Sequence, residues 1–437
     1  MDLSVIIPVS KRENDFKLIK QLREKFKDCE IIIVADEANK LVELENLEVD
    51  QLYLLNNLSR AKALNKGANF STRKNLWFLH LDSNLDHIQL SDVIALNEFT
   101  MSTFLLQFDQ ANCWWIAAGA NFRTKIFGIP FGDQSFLMSK KLFNFIGDFN
   151  ESLLEGEDHE FIWRTKSLNI RLNVINKKII TSAIKYKNKK IYQTVQTLIK
   201  TIFQAAAFCQ SRKSIVLGIF LKDPQSSASK SRLRTILNDK FVNELNLNFL
   251  KIININLENL KQKKNIHFIK VCKYADEEKL NSLSKICQGK FINQDEELSL
   301  IMSQLSQLSL ETVGKVALLG SDIPTLKAED LDEVLLKKLD KSSHFLSTKD
   351  GGFCFMISND QNIIECLRKI KCSTTFVMQD LTECLQKVNI AKKIFTDVDE
   401  ITDLREVYSE LKSAETNLSV EQKNLLRFLK AYEKSFI

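Results

Sequence analysis

The sequence predicts an α/β protein made of two tandem domains, each with a mostly parallel β-sheet. A chain of 437 residues is too long for one ordinary core, because a domain typically contains roughly 150 residues. Short apolar runs alternate with stretches of helical periodicity, which is typical of strands connected by helices. This alternation stops near residue 210 and starts again at Ser214, so the sequence predicts domains at 1–210 and 211–437.

In the first domain, strands are predicted at residues 3–9, 31–34, 51–55 and 76–81. Between the first two, Phe16, Ile19, Leu22 and Phe26 recur at helical spacing. Strands that are apolar on both faces and separated by helices favour a parallel sheet covered on both sides. Ligands of such sheets bind beyond the carboxyl ends of the strands, where Asp36 and Asp82 are expected.

The second domain repeats this organisation. Strands are predicted at residues 214–220, 249–255, 266–272, 316–320 and 353–357. A basic helical stretch at 185–213 is expected to link the two domains, and a charged helical tail is expected at 404–437. No convincing residue-level repeat relates the two halves.

The composition is that of an ordinary globular protein, with 44% hydrophobic and 27% charged residues. The net charge of +6 comes from scattered lysines, which favours a solvated surface over a nucleic-acid site. No run approaches the roughly 20 apolar residues of a spanning helix. Residues 191–209 are amphipathic at most, which leaves contact with a membrane surface open.

The sequence opens directly with a strand-like run, so we expect no secretion signal and a cytoplasmic location. Nine cysteines are present and no two form a Cys-x-x-Cys pair. Several, such as Cys29, Cys272 and Cys354, lie in or beside apolar runs. Buried free thiols are therefore expected, rather than a disulfide framework or a zinc site.

Three segments of the first domain contain candidate site residues. They are residues 60–68 at a helix start, residues 80–83 after a buried strand, and residues 128–134 followed by an acidic helix start at 157–160. Taken alone, Asp158 could be an acid favoured by the helix dipole, and His80 could be a core histidine. Their combination in one domain favours a catalytic site.

These segments resemble the family-2 glycosyltransferases of the GT-A superfamily, and more closely the radical-SAM/selenodomain-associated transferases. The resemblance covers roughly residues 1–185 and implies a Rossmann-like GT-A fold. It is carried by residues 4–9 with Pro8, by Asn65-x-Gly67-Ala68, by His80-Leu81-Asp82, by Gly128-x-Pro130-x-Gly132-Asp133-Gln134, and by Glu157-Asp158.

The resemblance implies roles for these residues. Asp158, beside Glu157, matches the general base that takes the proton of the acceptor hydroxyl, which implies inversion at the sugar carbon. Asp82 matches the second carboxylate of the superfamily's metal-binding Asp-x-Asp, and His80 stands in place of the first. A divalent Mg²⁺ or Mn²⁺ is implied, but the first domain's metal dependence stays open because His80 removes a hard oxygen ligand. The implied donor or acceptor contacts are Pro8, Asp36, Asn65, Gly67, His80, Asp82, Gly132, Asp133 and Gln134.

In the second domain, Lys222, Lys230 and Arg232 follow a predicted strand and could hold phosphates. A flexible basic, serine-rich loop is the alternative. Asp322 follows another strand, and Asp350-Gly351-Gly352 forms a turn before the next. Asp397 and Asp399 add two further carboxylates.

This second set resembles a GT-A-like selenodomain-associated transferase family related to guanylyltransferases, over roughly residues 214–410. Besides these residues, Ser373-Thr374 carries the resemblance. It implies nucleotide binding by Lys222, Lys230, Arg232, Asp350, Gly351 and Gly352. It also implies a divalent metal on Asp322 with Asp397 or Asp399. The glycine of the family's phosphate loop is replaced within residues 226–228, which favours weak nucleotide binding or an inactive partner domain.

The sequence thus predicts a hexosyltransferase-like enzyme that moves a sugar from a nucleotide-sugar donor to an acceptor that it does not identify. One alternative gives the chemistry to the second domain, which would make a nucleotide-activated sugar or phosphate ester. Another treats both domains as binding scaffolds without activity. The oligomeric state is not indicated.

Overall fold

The computed structural model describes residues 1–10, 15–37, 47–94, 96–153, 155–183, 199, 201, 203–204, 212–261, 265–273, 279, 283–285, 287, 291–294, 296–372 and 374–437. The chain divides into two compact units, Met1–Arg212 and Lys213–Ile437, beside the boundary expected near residue 210.

The first unit is one mixed sheet with helices on its faces. Its strands are β1 (Leu3–Val9), β2 (Glu30–Asp36), β3 (Gln51–Leu55), β4 (Asn75–Phe78), β5 (Thr100–Phe108), β6 (Phe136–Ser139) and β7 (Arg171–Thr181). Its helices are α1 (Lys17–Lys25), α2 (Arg60–Phe70), α3 (Leu90–Ile94), α4 (Trp114–Phe127), α5 (Lys140–Ile146) and α6 (Glu157–Ser167).

The strand order of this sheet is β3-β2-β1-β4-β6-β5-β7. All pairings are parallel except those of β6, which runs antiparallel to β4 and β5. Every residue of β1 and β2 is buried, because helices cover both faces at the centre of the sheet. The ends of β1, β2 and β4 therefore meet at one edge.

The second unit has the same sheet order. Its strands are β8 (Ile215–Leu221), β9 (Ile266–Cys272), β10 (Phe291–Asn293), β11 (Val316–Gly320), β12 (Ser343–Ser347), β13 (Phe353–Ser358) and β14 (Val388–Ile390). Its helices are α7 (Ser231–Arg234), α8 (Asp239–Lys261), α9 (Leu298–Thr312), α10 (Ala328–Leu335), α11 (Ile363–Lys369), α12 (Val377–Cys384), α13 (Ile401–Ser413), α14 (Val420–Ala431) and α15 (Glu433–Phe436).

The order here is β10-β9-β8-β11-β13-β12-β14, with β13 antiparallel to both neighbours. Each position matches the corresponding strand of the first unit. The predicted fold class is confirmed: two tandem Rossmann-like α/β domains with mostly parallel sheets and a helical C-terminal tail.

One predicted strand is wrong. Residues 249–255 lie inside the 23-residue helix α8, where Phe249, Ile252 and Ile253 are buried. An apolar run of this length is compatible with a strand or with the buried side of a helix, and periodicity alone does not separate them. The helix packs against the C-terminal helices, which supply the second apolar layer around it.

The expectation of free thiols is wrong for one pair. Cys366 in α11 and Cys384 at the end of α12 form a disulfide across a sequence separation of 18 residues. The other described cysteines are free, and Cys29, Cys113, Cys272, Cys287 and Cys354 are buried as expected. The sequence spacing carried no signal for the pair, since the packing of two helices brings the residues together.

Among the described residues, no helix is both long and apolar enough to cross a bilayer. Of the stretch predicted to link the domains, 185–213, only residues 199, 201, 203–204 and 212–213 are described. The linker helix and the amphipathic segment at 191–209 therefore lie largely outside the described residues, as does Ser373.

Gly67 in α2 provides a test of the packing between helix and sheet. A Cβ at this position would lie 2.5 Å from Cγ2 of Ile6 in β1. We expect Gly67→Ala to destabilise the first unit by about 1–3 kcal/mol through overpacking. All four tryptophans lie in the first unit, so tryptophan fluorescence during urea unfolding reports its stability.

Gly119→Ala is the matched control, since a Cβ there would meet no atom within 4 Å. It should stabilise helix α4 by up to about 1 kcal/mol. Equal effects of the two substitutions would contradict the assignment of Gly67 to close packing.

Candidate functional site

Three segments of the first unit meet at one edge of its sheet. His80 follows β4, Gly132 lies in a short 3₁₀ turn, and Asp158 is in the first turn of α6. A Cβ on Gly132 would lie 3.0 Å from Oδ2 of Asp158 and 3.1 Å from Nε2 of His80. A side chain at position 132 would therefore crowd both atoms, which would have to move by a few tenths of an ångström, so glycine favours this approach.

Asp158 is buried but is held by several donors. Its Oδ2 accepts a hydrogen bond of 2.8 Å from the Gly132 backbone N–H, and its Oδ1 accepts one of 2.9 Å from its neighbour His159. Nη2 of Arg60 lies 3.4 Å from Oδ1. Burial disfavours the charged carboxylate, but Arg60 and these N–H groups outweigh it and hold the pKa of Asp158 below its usual range.

Arg60 is a site residue to which the sequence assigned no role. It lies in the first turn of α2 and forms an ion pair with Glu157 through Nε as well as with Asp158. Burial opposes its charge, yet the neighbouring carboxylates raise the pKa of Arg60. The helix dipole disfavours a cation at a helix N-terminus. The position of Arg60 at the start of a predicted helix could therefore have indicated that an acidic residue lies beside it.

A stack of three side chains fixes the loop that carries Gly132. The ring of His159 stacks on Phe131 with centroids 3.5 Å apart, and the guanidinium of Arg123 lies 3.5 Å from the same ring centroid. Arg123 also donates to the Ile129 carbonyl at 2.8 Å. Burial lowers the pKa of His159, so this imidazole is neutral near pH 7. Sequence reasoning did not identify the stack.

The two strand-end carboxylates have different surroundings. Asp82 is exposed, and its Oδ2 accepts from the Thr181 hydroxyl at 3.0 Å and from the Ser182 N–H at 3.2 Å. Asp36 is buried, and its Oδ2 accepts from the Leu58 N–H at 3.3 Å. Asp82 thus presents a carboxylate to solvent two residues beyond His80.

Several predicted donor contacts have structural tasks. The Asn65 amide exchanges hydrogen bonds with the Phe149 backbone, at 2.9 Å in both directions. Gln134 is fully buried, and its side chain donates to the Phe104 carbonyl at 3.0 Å. Gly67 faces Ile6, as described above. Pro8 lies within β1, and Asp133 is half-buried beside Gly132. Their roles in donor binding stay predictions.

In the second unit, two lysines and two aspartates form a compact cluster beyond the ends of β8 and β11. Lys222 pairs with Oδ2 of Asp322, and Nζ of Lys230 lies 3.3 Å from Oδ1 of the same residue. Both ammonium groups also lie within 4 Å of Oδ1 of Asp399, at 3.7 and 3.6 Å. The predicted phosphate-binding lysines and metal-binding carboxylates thus occupy one place.

Other predicted residues border this cluster. Burial, together with Asp350, Asp399 and Asp322, raises the pKa of Asp397 to about 6. Asp350 accepts from the Gly352 N–H at 3.0 Å. Gly351 has φ +87°, and a Cβ there would lie 2.1 Å from the Thr375 carbonyl oxygen, so the turn requires glycine.

Arg232 is turned to Glu400 at 2.8 Å, on an exposed surface. It is therefore paired outside the lysine and aspartate cluster. Its predicted role in phosphate binding would require it to leave Glu400.

The described residues contain no group of three or more His, Cys, Asp or Glu side chains arranged to hold a metal ion. Both carboxylate oxygens of Asp322 are in contact with ammonium groups. A divalent ion at Asp322 would have to displace Lys222 or Lys230. Asp82 with His80 offers one oxygen and one nitrogen, a donor set better suited to Mn²⁺ than to Mg²⁺.

Compared with known families and with curated proteins, the sequence matches none. Among solved structures, a proposed nucleotide-diphospho-sugar transferase from Desulfovibrio desulfuricans G20 is similar, with 19% identity and a TM-score of 0.45. The match covers 51% of this chain and 97% of that one.

Two further structures show the same kind of likeness. A mannosyltransferase from Pyrobaculum calidifontis in complex with GDP-Man and Mn²⁺ has 11% identity and a TM-score of 0.36, covering 47% of this chain and 64% of that one. A cytidylyltransferase from Leptospira borgpetersenii has 13% identity and a TM-score of 0.32, covering 51% and 97%. At these identities the likeness concerns the fold, and no residue role is taken from it.

The raised pKa of Asp397 gives a prediction about stability. The pKa of Asp397 is about 6 in the folded chain and about 3.9 in the unfolded chain, so the folded chain binds the proton more tightly. This preference stabilises the folded chain below about pH 3.9, and the stabilisation is lost as the pH rises through about 6. Asp397→Asn removes the charge at similar shape, so its melting temperature should exceed that of the wild type at pH 8, with a smaller difference at pH 4. Calorimetric scans at both pH values measure this.

Asp380→Asn, at an exposed position of α12, is the control for loss of one surface charge. An Asp397→Asn protein that is less stable than the wild type at pH 8 would contradict the crowding of carboxylates around this residue.

Proposed function

We propose that the chain is a glycosyltransferase whose first unit transfers a sugar from a nucleotide-sugar donor to an acceptor hydroxyl, with inversion at the sugar carbon. The observation that carries the proposal is the convergence of Asp158, His80 and Gly132 at the carboxyl edge of the sheet. Asp82 follows His80 by two residues in the chain. Ligands of open α/β sheets bind at this edge.

Asp158 is the proposed base. Its carboxylate accepts the proton of the acceptor hydroxyl while the oxygen forms a bond to the anomeric carbon and the diphosphate leaves with the electron pair of the broken bond. The lowered pKa keeps Asp158 ionised at neutral pH. A carboxylate of low pKa is a weak base, so proton transfer is expected late, when bond formation has made the hydroxyl proton acidic.

Arg60 is the proposed positioning residue. It bridges Glu157 and Asp158, so the catalytic carboxylate keeps one orientation as its charge is neutralised by the incoming proton. Glu157 remains the partner of Arg60 after that proton transfer. Of the two acidic residues at the start of α6, Asp158 is thus the proposed base, and Glu157 holds Arg60 in place.

The leaving diphosphate requires charge neutralisation. Asp82 and His80 are the residues that would hold a divalent ion in the first unit, which would stabilise the negative charge on the diphosphate. Asp82 is fixed by Thr181 and Ser182 at the end of β7, so its orientation does not depend on the ion.

A second candidate function belongs to the second unit. Beyond the ends of two parallel strands lies the cluster of Lys222, Lys230, Asp322 and Asp399. In a nucleotidyltransferase, nucleotide phosphates would be held at this edge of the sheet. Pyrophosphate release from a nucleoside triphosphate and a sugar phosphate by the whole chain would test this activity. A fall of that activity in Lys222→Gln, with none in Lys327→Gln, would assign it to this cluster.

The base assignment predicts the behaviour of Asp158→Asn. Transfer should fall by about 10²- to 10⁴-fold because the proton acceptor is lost, while donor binding stays close to that of the wild type. Release of nucleoside diphosphate from a panel of nucleotide sugars measures turnover, and calorimetric titration measures donor affinity.

Glu160→Gln, two residues further along α6, removes a carboxylate that pairs with Arg164 and should leave transfer unchanged. Tryptophan fluorescence checks that both variants fold. Wild-type turnover in Asp158→Asn would refute the base.

The metal assignment predicts the behaviour of Asp82→Ala. Mn²⁺ should raise the melting temperature of the wild-type first unit further in the presence of a nucleoside diphosphate, because a ligand that binds only the folded state stabilises it. This Mn²⁺-dependent shift should disappear in Asp82→Ala and persist in Asp86→Ala, a matched change four residues away. An unchanged shift in Asp82→Ala would rule out this metal role.

A further inference from the structure

Helix α4 of the first unit exposes a continuous apolar face. Trp114, Phe122 and Ile126 expose 70%, 59% and 62% of their surfaces, and the neighbouring Trp115 and Phe127 are also exposed. Positions 115, 118, 119, 122 and 126 lie on one side of the helix by their spacing. Trp114 lies in the first turn, and the ring of Phe127 at the last residue contacts Phe122, with centroids 6.1 Å apart. The opposite side, with Ile116, Ala117 and Thr124, is buried. Exposed aromatic clusters of this kind mark interaction surfaces.

The charged side chains within helix α4 and within the edge strand of the same sheet have one sign. Residues 114–127 contain Arg123 and Lys125 and no carboxylate. Helix α4 packs on β5, and β5 pairs with the edge strand β7, whose residues 171–181 contain Arg171, Lys177 and Lys178 and also no carboxylate. Lys166 donates to the Phe127 carbonyl at the end of the helix at 2.9 Å. The surface is complementary to an anionic partner.

The apolar face is connected to the proposed active site. Helix α4 ends at Gly128, and Arg123 reaches from it to the Ile129 carbonyl and to the ring of Phe131. Phe131 stacks on His159, the neighbour of Asp158. The outer face of α4 and the loop of Gly132 are thus parts of one rigid assembly.

We propose that the outer face of α4, defined by Trp114, Trp115, Phe122, Ile126 and Phe127, binds the surface of a lipid bilayer that contains anionic headgroups. Tryptophan and phenylalanine enter the boundary between headgroups and acyl chains, and flanking lysines and arginines attract anionic lipids. The absence of carboxylates along α4 and β7 distinguishes this face from one for a basic partner. The proposal goes beyond glycosyl transfer and stands without it.

Co-sedimentation of the full chain with vesicles tests the proposal. One set contains phosphatidylcholine alone, and the other contains equal parts of phosphatidylcholine and phosphatidylglycerol. We expect binding to the mixed vesicles, with partitioning reduced at least about tenfold in Phe122→Gln/Ile126→Gln because two apolar side chains no longer enter the bilayer. Lys125→Gln should lower binding about fivefold on the anionic vesicles and little on the neutral ones.

Leu336→Gln is the matched control, since Leu336 is 76% exposed in the second unit and should not affect binding. Near-ultraviolet circular dichroism checks that the variants fold. Failure of the wild type to bind anionic vesicles, or equal binding by Phe122→Gln/Ile126→Gln, would overturn the proposal. A wild-type dimer in sedimentation velocity that this double variant abolishes, without vesicle binding, would assign the face to a second copy instead. None of these readouts depends on transfer, so the proposed function is tested separately.

Discussion

The ion pair of Arg60 with Glu157 and Asp158 joins two of the three segments that form the first candidate site. Arg60 starts α2, while the two acids start α6, and Asp158 then accepts from Gly132 in the third. A buried carboxylate is costly unless it is paired and hydrogen-bonded, so these segments are held together by the requirement to satisfy Asp158. His80 lies beside the same glycine, which has no side chain to displace either residue.

The second unit satisfies the half-buried carboxylate of Asp322 differently, although its sheet has the same order. Asp322 is neutralised by Lys222 and Lys230, and the side chain of Lys230 is fully buried. Lys230 also has a positive φ of 53°, so the backbone turns sharply where the ammonium enters the cluster. The two units thus place a carboxylate at the same edge of the same kind of sheet and compensate it with cations from different segments. Similar folds therefore allow different chemistry in the two halves.

The outer face of α4 is connected to the proposed base through the loop from Gly128 to Gln134. The loop from Gly128 to Gln134 is fixed on one side by the stack of Arg123, Phe131 and His159 and on the other by the hydrogen bond from Gly132 to Asp158. A bilayer contact at α4 would therefore hold the proposed base at a defined distance from the membrane.

The sequence by itself determined the fold class and most strands, because period and local motif depend on neighbouring residues in the chain. It also singled out Asp158, His80 and Gly132, which the structure brings together and whose catalytic role stays a prediction. Only the tertiary structure placed residues 249–255 in a helix, paired Cys366 with Cys384, and joined Arg60 to Asp158 across 98 positions of sequence. It also showed that Asn65 and Gln134 make hydrogen bonds to the backbone and that Gly67 packs against Ile6, contacts that their sequence motifs had not indicated. These outcomes depend on which surfaces meet when helices and strands pack, and no local pattern identifies the partner residue of such a long-range contact.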